Sequence, residues 1–413
     1  MSAESPDTGT RPDLPGLEMT ASALACPIAF TDDAFMKPDP VALLQQLIRI
    51  PSVNPDNADP SEPTGEKELA DFLANHLEDL GAVVELEEIL PGRPNLIARF
   101  TPLDGRPRML LGPHLDTVGT TGMTIDPFCG SIDGDKIQGR GASDTKGPMA
   151  AMIAALTENR DLLPRLPVAV DFVAFMAEES GQWGSRRFAE TRREHYGFAM
   201  VGEPTSMQTV HVTKGSTWAT LRATGKAAHS STPEQGDNAI LKLVRAISAL
   251  EAHFAPLLSS HTHPLLGAST MNIGMIHGGT RPNVVPDLAE ASIDIRSTPS
   301  LEDAGGALRL LKQTIASLQL GIEVVNAHEN PPMETSPDLP AVAALLATPG
   351  TSPAGAPWFS DAAHLSAGGI PSVCIGPGSI RQAHTADEFI LTADLLAGTE
   401  FFSRFLRRSA AGT

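Results

Sequence analysis

Five short stretches of the chain put histidine, aspartate or glutamate where a plain apolar core would gain nothing from them. Met109–Gly119 reads MLLGPHLDTVG, an apolar run that ends in His114 and Asp116. Asp144 stands in GRGASDTKG, Glu178 and Glu179 in FMAEESG, Glu203 in VGEPT, and His384 in RQAHTADEF. His114, Glu178 and Glu203 each follow an apolar run of strand character. In an open α/β sheet, ligands bind at the carboxyl ends of the strands. Three strand ends therefore bring polar groups to one rim.

Two imidazoles and several carboxylates suit a hard-to-borderline dication such as zinc, cobalt or manganese. Five ligating side chains exceed what one open catalytic site needs, and they suit two ions sharing a carboxylate. Two ions about 3.5–4 Å apart can activate water and polarise a carbonyl together. Glu178 and Glu179 are consecutive, so in extended chain they point opposite ways, one to the metals and the other to the substrate. A carboxylate beside an activated water is the expected general base. Asp116 points the same way as His114 and is placed to orient its imidazole. Each residue also has a structural role available to it. Asp144 can cap the helix that starts near Thr145, and Glu203 before Pro204 can be a turn residue.

The elements that must hold these groups follow from periodicity. DPVALLQQLIRIPSVNP carries Val41, Leu44, Leu47 and Ile48 at helical spacing and is stopped by Pro51. Residues 64–81 form a second amphipathic helix with Gly81 just past its end. The runs AVVELEEI, NLIARF and RMLLGPHLD read as strands, 145–159 as a helix with small residues on one face, and 166–177 as a central strand. Alternating helices and buried strands imply an α/β domain with a mostly parallel sheet flanked by helices. From residue 213 the pattern changes to β-α-β-β-α-β, the order of a ferredoxin-like α+β unit. Its second helix is expected over 301–318 and its last strand over 321–328. A proline-rich return linker follows at 329–340, and the α/β pattern then resumes. The expected organisation is a tail at 1–36, a catalytic metal-binding domain from 37–212 and 333–413, and an inserted domain at 213–332.

The bulk properties agree. The net charge of -19 argues against nucleic acid or an anionic membrane surface as partner. No apolar run approaches the roughly 18 residues of a spanning helix. The N-terminus lacks the basic and apolar regions of a secretory signal and reads as disordered. Cys26, Cys129 and Cys374 are far apart and odd in number, which favours no disulfide framework and a cytoplasmic location. No GxxxxGK[ST] loop is present for a magnesium–phosphate alternative.

Taken in order, GPHLDTV, GRGASDTKG, FMAEESG and VGEPT resemble the M20 family of metallopeptidases and deacylases. That family includes acetylornithine deacetylase, succinyl-diaminopimelate desuccinylase and carboxypeptidase G2-like enzymes. LIRIPSVNP, GKAAHSSTPEQGDNAI, GGTRPNVVPD and GPGSIRQAHTADEFI extend the likeness over about residues 38 to 408. The resemblance implies two divalent ions, zinc first, with cobalt or manganese as alternatives. One would be held by His114 and Glu203, the other by Glu179 and His384, with Asp144 bridging. Glu178 would be the base and Asp116 the partner of His114. The inserted domain would be a lid that also forms a homodimer, with His229 reaching the neighbouring subunit's site. Asn283 and Arg296 would contact substrate, Arg296 through a carboxylate, and the loop around Gly378 through its backbone. The implied substrate is a small N-acyl amino acid or dipeptide-like molecule, acetylornithine deacetylation coming first. Desuccinylation and carboxypeptidase or dipeptidase activity come next, and a non-catalytic metal-stabilised binding protein is a remote alternative. The chain departs from the usual pattern at Pro148, Gln182 and Trp183, and after HLDTV, where a proline is often found; Trp183 and Arg281 are expected to alter the pocket. No presumed ligand is lost.

Overall fold

The computed structural model describes residues 39–410. The tail expected at 1–36 lies outside the described residues. In chain order the strands are β1 (Val83–Leu90), β2 (Arg93–Arg99), β3 (Arg108–Gly112), β4 (Ile132–Asp133), β5 (Lys136–Gln138), β6 (Ala169–Ala174), β7 (Phe198–Val201), β8 (Thr209–Thr213) and β9 (Gly215–Thr224). They continue with β10 (Thr262–His263), β11 (Gly267–Ala268), β12 (Thr270–Gly278), β13 (Leu288–Ser297), β14 (Glu323–Asn330), β15 (Met333–Glu334), β16 (Pro353–Ala356), β17 (Ser372–Cys374) and β18 (Phe389–Leu391). The helices are α1 (Pro40–Arg49), α2 (Lys67–Asp79), α3 (Lys146–Glu158), α4 (Trp183–Arg192) and α5 (Ala239–Ser260). They are followed by α6 (Pro299–Asp303), α7 (Ala307–Ser317), α8 (Pro340–Leu346), α9 (Asp361–Ala367) and α10 (Thr392–Ala410).

Local chemistry sets the helix ends. Asp39 accepts from the N–H groups of Val41 and Ala42, and Pro40 occupies the first helical position of α1. Ile50 is extended, as a residue before proline prefers to be. At the end of α2, Gly81 adopts φ +89°. Its N–H donates to the Glu78 carbonyl and that of Ala82 to Leu77, the paired bonds of a Schellman motif.

The large sheet runs β1-β2-β6-β3-β7-β17-β8-β15, with β16 also beside β8. Its middle, β6-β3-β7-β17, is parallel, and antiparallel pairings flank it on both sides. Alternation along the strands fills two cores. Met109, Leu111, Val170, Phe172 and Ala174 join residues of α1, α2, α3 and α10. Leu110, Val173 and Phe175 join Phe188 and Ala362 from α4 and α9. Helix α3 is buried over its first eleven residues, and its Gly147, Ala150, Ala151, Ala154 and Ala155 permit that close approach.

A second sheet, β12-β13-β9-β14, is antiparallel throughout and has its own apolar cluster beneath α5 and α7. The fold is thus α/β with an additional ferredoxin-like unit. The chain enters that unit directly from β8 into β9. It returns from β14 into β15, which pairs Met333 with Thr213. At this crossing a Cβ on Gly215 would lie 2.6 Å from the Asn330 carbonyl oxygen and from Ser297 Oγ, so only glycine fits.

Three expected elements differ. The helix over 301–318 is two helices, because Gly305 and Gly306 adopt φ +107° and +83° between them. The strand over 166–177 is shorter, and Ala177 turns at φ +59° to present the glutamates that follow. The return linker contains β15. No helix among the described residues is long and apolar enough to cross a membrane.

Candidate active site

The site is assembled where parallel strands end on one edge of the large sheet. Beyond β3, His114 is buried, and its Nδ1 lies 2.9 Å from the Asp116 carbonyl oxygen. With Nδ1–H donating there, Nε2 faces the cluster, where it donates to Asp144 when the ring is protonated and is free to ligate a metal when it is not. Nε2 sits 3.1 Å from Asp144 Oδ1. On the other side of the same carboxylate, His384 Nε2 is 3.4 Å from Asp144 Oδ2 and 3.1 Å from the Glu179 carboxylate. One aspartate therefore offers one oxygen to each of two imidazoles. Ligand atoms of His114, Asp144 and Glu179 all lie within 4.8 Å of one another. Asp144 does not cap α3, since Thr145 occupies the cap position and makes no side-chain cap bond.

Asp116 does more than orient His114. Its Oδ1 accepts from the N–H of Glu178 at 2.9 Å. Its Oδ2 accepts from the N–H of Glu179 at 3.0 Å and from Asn54 Nδ2 at 2.7 Å. Asn57 Nδ2 donates to the Glu179 carbonyl at 3.2 Å. The segment after Pro51 thus braces the paired glutamates. Its likeness to a family segment is visible in the sequence, but nothing there marks Asn54 as a brace. Asp361 was likewise missed: it is fully buried at the start of α9, and Ser185 donates to its Oδ1. An SDA sequence at a helix start reads as an ordinary cap, and only burial sets this aspartate apart.

The electrostatics are those of an unbalanced acidic cluster. Burial, then the neighbouring Glu203, pushes the Glu178 carboxyl well above the usual range. Burial and Asp144 do the same to Glu203, and burial raises Glu179. Burial also lifts Asp361 to about 7. The hydrogen bonds to Asp144 and Glu179 raise His384 to about 10. For His114, burial opposes the charged form, but hydrogen bonds to Asp116 and Asp144 outweigh it. Asp144 is lowered, its burial more than offset by the two histidines. Glu203 Oε1 is buried without a hydrogen-bond partner. Buried carboxyls of this kind are neutralised by a proton or by a cation beside them. The imidazole ion pairs of Asp144 and Glu179 supply part of that neutralisation. The donor set, with its unpartnered oxygen, fits divalent metal.

A cavity of about 430 Å³ opens over the cluster. Asp144, Glu178, Glu179, Glu203 and His384 line its floor, while Arg296, Trp218 and His328 reach it from the second sheet. Arg296 pairs with Asp294 at 2.9 Å. His229 and Asn283 lie together on the exposed end of the second unit, where the Ser230 N–H donates to the Asn283 carbonyl. They are not among the residues lining the cavity. Gly378 adopts φ +85°, and its carbonyl accepts from the Ser206 N–H at 2.7 Å. Its neighbour Ile380, rather than Gly378, lines the cavity. Trp183 is exposed, with Arg186 over its ring.

An acid–imidazole cluster at the carboxyl edge of an α/β sheet, faced by a second sheet, defines a metallohydrolase. Residues 110–408 match the sequence profile of peptidase family M20/M25/M40, and the chain belongs to that family. It is 32% identical over 354 residues to an acetylornithine deacetylase of Aliivibrio fischeri, covering 84% of this chain and 92% of that one. In fold it resembles an M20 family metallo-carboxypeptidase from Sulfolobus solfataricus, with a TM-score of 0.75 and 21% identity over 90% of this chain and 99% of that one. It also resembles a Bacillus subtilis protein described as a dinuclear metal-binding peptidase, with a TM-score of 0.62 and 16% identity over 91% and 98% of the two chains. The chain is a metal-dependent hydrolase of amide bonds.

Proposed function

We propose that this enzyme removes the acyl group from a small N-acyl amino acid, in the manner of its acetylornithine deacetylase relatives. The observation that carries the reading is the Asp144 carboxylate, which stands between two imidazole nitrogens, with half-buried Glu178 lining the same cavity. His114 and Glu203 would hold one divalent ion, Glu179 and His384 the other, and Asp144 both. Zinc suits these donors best, with cobalt or manganese next. Bound ions would polarise the scissile carbonyl and make water more acidic. Glu178 takes the proton from the attacking water and delivers it to the leaving nitrogen as the C–N bond breaks. Its raised affinity for protons suits a group that must both accept and return one. Asp116 keeps Glu178 and Glu179 at fixed positions through their backbone N–H groups.

The remaining roles belong to the same proposal. Residues 37–212 and 333–413 form the catalytic domain, and 213–332 a lid that pairs two chains. Exposed Leu241, Val244, Met275 and Ile276 on α5 and edge strand β12 support that pairing. A monomer in sedimentation would contradict it. His229 would reach the partner's cavity and donate to the developing oxyanion, which fits its distance from its own chain's cavity. Arg296 would pair with a substrate carboxylate, with Asn283 and the Gly378 loop as further contacts. The thiol of Cys374 is free and buried, which suits a reducing cytoplasm.

The test compares kcat/KM of the metal-loaded enzyme on N-acetylornithine, N-succinyl-diaminopimelate, other N-acetyl amino acids and dipeptides. Glu178→Ala should lower kcat at least 10²–10⁴-fold while metal content stays near two per chain. Loss of metal in that variant would show that the two glutamates exchange roles. Inactivity of the wild type on every compound with metal bound would point to a binding protein.

A further inference from the structure

We propose that Glu388 is a positioning residue for the metal cluster: its carboxylate fixes the turn from Arg140 to Asp144 and thereby the stance of Asp144 between the two histidines. The inference rests on reading the cluster as a metal site. Glu388 is fully buried. Its Oε1 accepts from the N–H groups of Ser143 at 2.9 Å and Asp144 at 3.0 Å. Its Oε2 accepts from the Gly141 N–H at 3.1 Å and from Arg140 Nη1 at 2.6 Å. Arg140 is itself anchored, donating from Nε to the Gly119 carbonyl at 3.1 Å.

Two donors on each oxygen call for a carboxylate. An amide of the same shape has one acceptor oxygen and brings two N–H groups of its own, which would face donors here. The turn also needs an external clamp. Gly139 and Gly141 adopt φ +145° and +84°, so its backbone has little preference of its own. Its course is set by what its N–H groups bond.

The place of Glu388 in the chain extends the effect. Strands β5 and β18 pair with Gln138 opposite Phe389, and the Gly139 N–H donates to the Glu388 carbonyl at 3.0 Å. The chain leaving β5 enters the Asp144 turn. The chain entering β18 comes from the His384 loop. Glu388 lies four residues after His384, where these two segments meet. The side chain of His384 is 51% exposed and its backbone sits at φ +61°, so the loop, not core packing, decides where its imidazole stands. One buried carboxylate therefore ties together the loops that carry two of the five presumed ligands.

The experiment uses full-length protein stripped of metal and titrated with Co²⁺, following bound cobalt and its d–d absorption. Wild type should bind two ions per chain. Glu388→Gln should raise the weaker Kd by about 10–100-fold and change the absorption band. Asp171→Asn is the control. Asp171 is equally buried, accepts from Arg108 at 2.6 and 2.9 Å and from Tyr196 at 2.8 Å, and lies near the amino-terminal end of the parallel strands. It should lower Tm and leave both cobalt affinities unchanged. Wild-type affinities in Glu388→Gln, or equal weakening in Asp171→Asn, would overturn the proposal. If Glu388→Gln does not fold, Glu388→Asp keeps the charge with a shorter arm and should weaken cobalt binding by a smaller factor. Unchanged binding in that variant overturns the proposal equally. A wild type that takes up no cobalt would instead overturn the metal reading.

Discussion

At the scale of single residues, the cluster gathers carboxyls that either protons or a bound cation must neutralise, and this has a pH signature. His384 is raised from about 6.5 to about 10. A raised histidine contributes stability fully below its unfolded pKa and loses it as pH climbs through the folded one. The raised carboxyls of Glu178, Glu179 and Glu203 act with the same sign from lower pH upward. Buried Lys146, lowered to about 7, acts oppositely, but it does so with or without metal. The metal-dependent part is thus isolated by difference. Added zinc should raise Tm of the stripped protein more at pH 9 than at pH 6.5, because bound metal replaces protons on the same groups. A gain in Tm that is flat or shrinks with pH would contradict this. The chemistry-bearing residues were legible because His, Asp and Glu after apolar runs are costly without a purpose. Asn54 and Glu388 were not, since Asn54 acts on the Asp116 carboxylate and Glu388 on the backbone N–H groups of a distant turn, and both look like ordinary loop residues.

At the scale of elements, strand ends and the helices behind them hold the reacting side chains. Helix α4 packs so closely on the glutamate turn that its Gly184 has no room for a side chain. A Cβ there would meet Asn95 Oδ1 and lie 2.6 Å from the Met176 carbonyl oxygen. Asn95 links the two elements, donating to the Gly184 carbonyl and accepting from the Met176 N–H, both at 3.0 Å. Gly184→Ala should destabilise the enzyme by about 1–3 kcal/mol and lower kcat by shifting Glu178. Urea unfolding and steady-state rates read both, and a variant unchanged in both would show that α4 carries no such constraint. Sequence periodicity captured the amphipathic helices α1 and α2 and, as the first helix of the inserted unit, α5. It read α6 and α7 as one helix, because apolar spacing continues across Gly305 and Gly306 while the backbone does not. It missed α4 because WGSRRFAETR carries little apolar pattern. It missed β15 because a two-residue strand is defined by its partner β8 rather than by its own residues.

At the scale of the whole molecule, one sheet edge gathers groups that lie as far apart in the chain as His114 and His384. The α/β character and the order of the inserted unit's elements were legible, since both are written in alternating periodicities. The antiparallel flanks of the large sheet were not, because strand direction depends on connections that periodicity does not record. Anomalous diffraction at the zinc edge, from crystals grown with zinc, tests the central claim most directly. Two peaks about 3.5–4 Å apart, flanking the Asp144 carboxylate with His114 and Glu203 on one and Glu179 and His384 on the other, are predicted. A single peak, or zinc bound without the Asp144 carboxylate between the ions, would contradict the account.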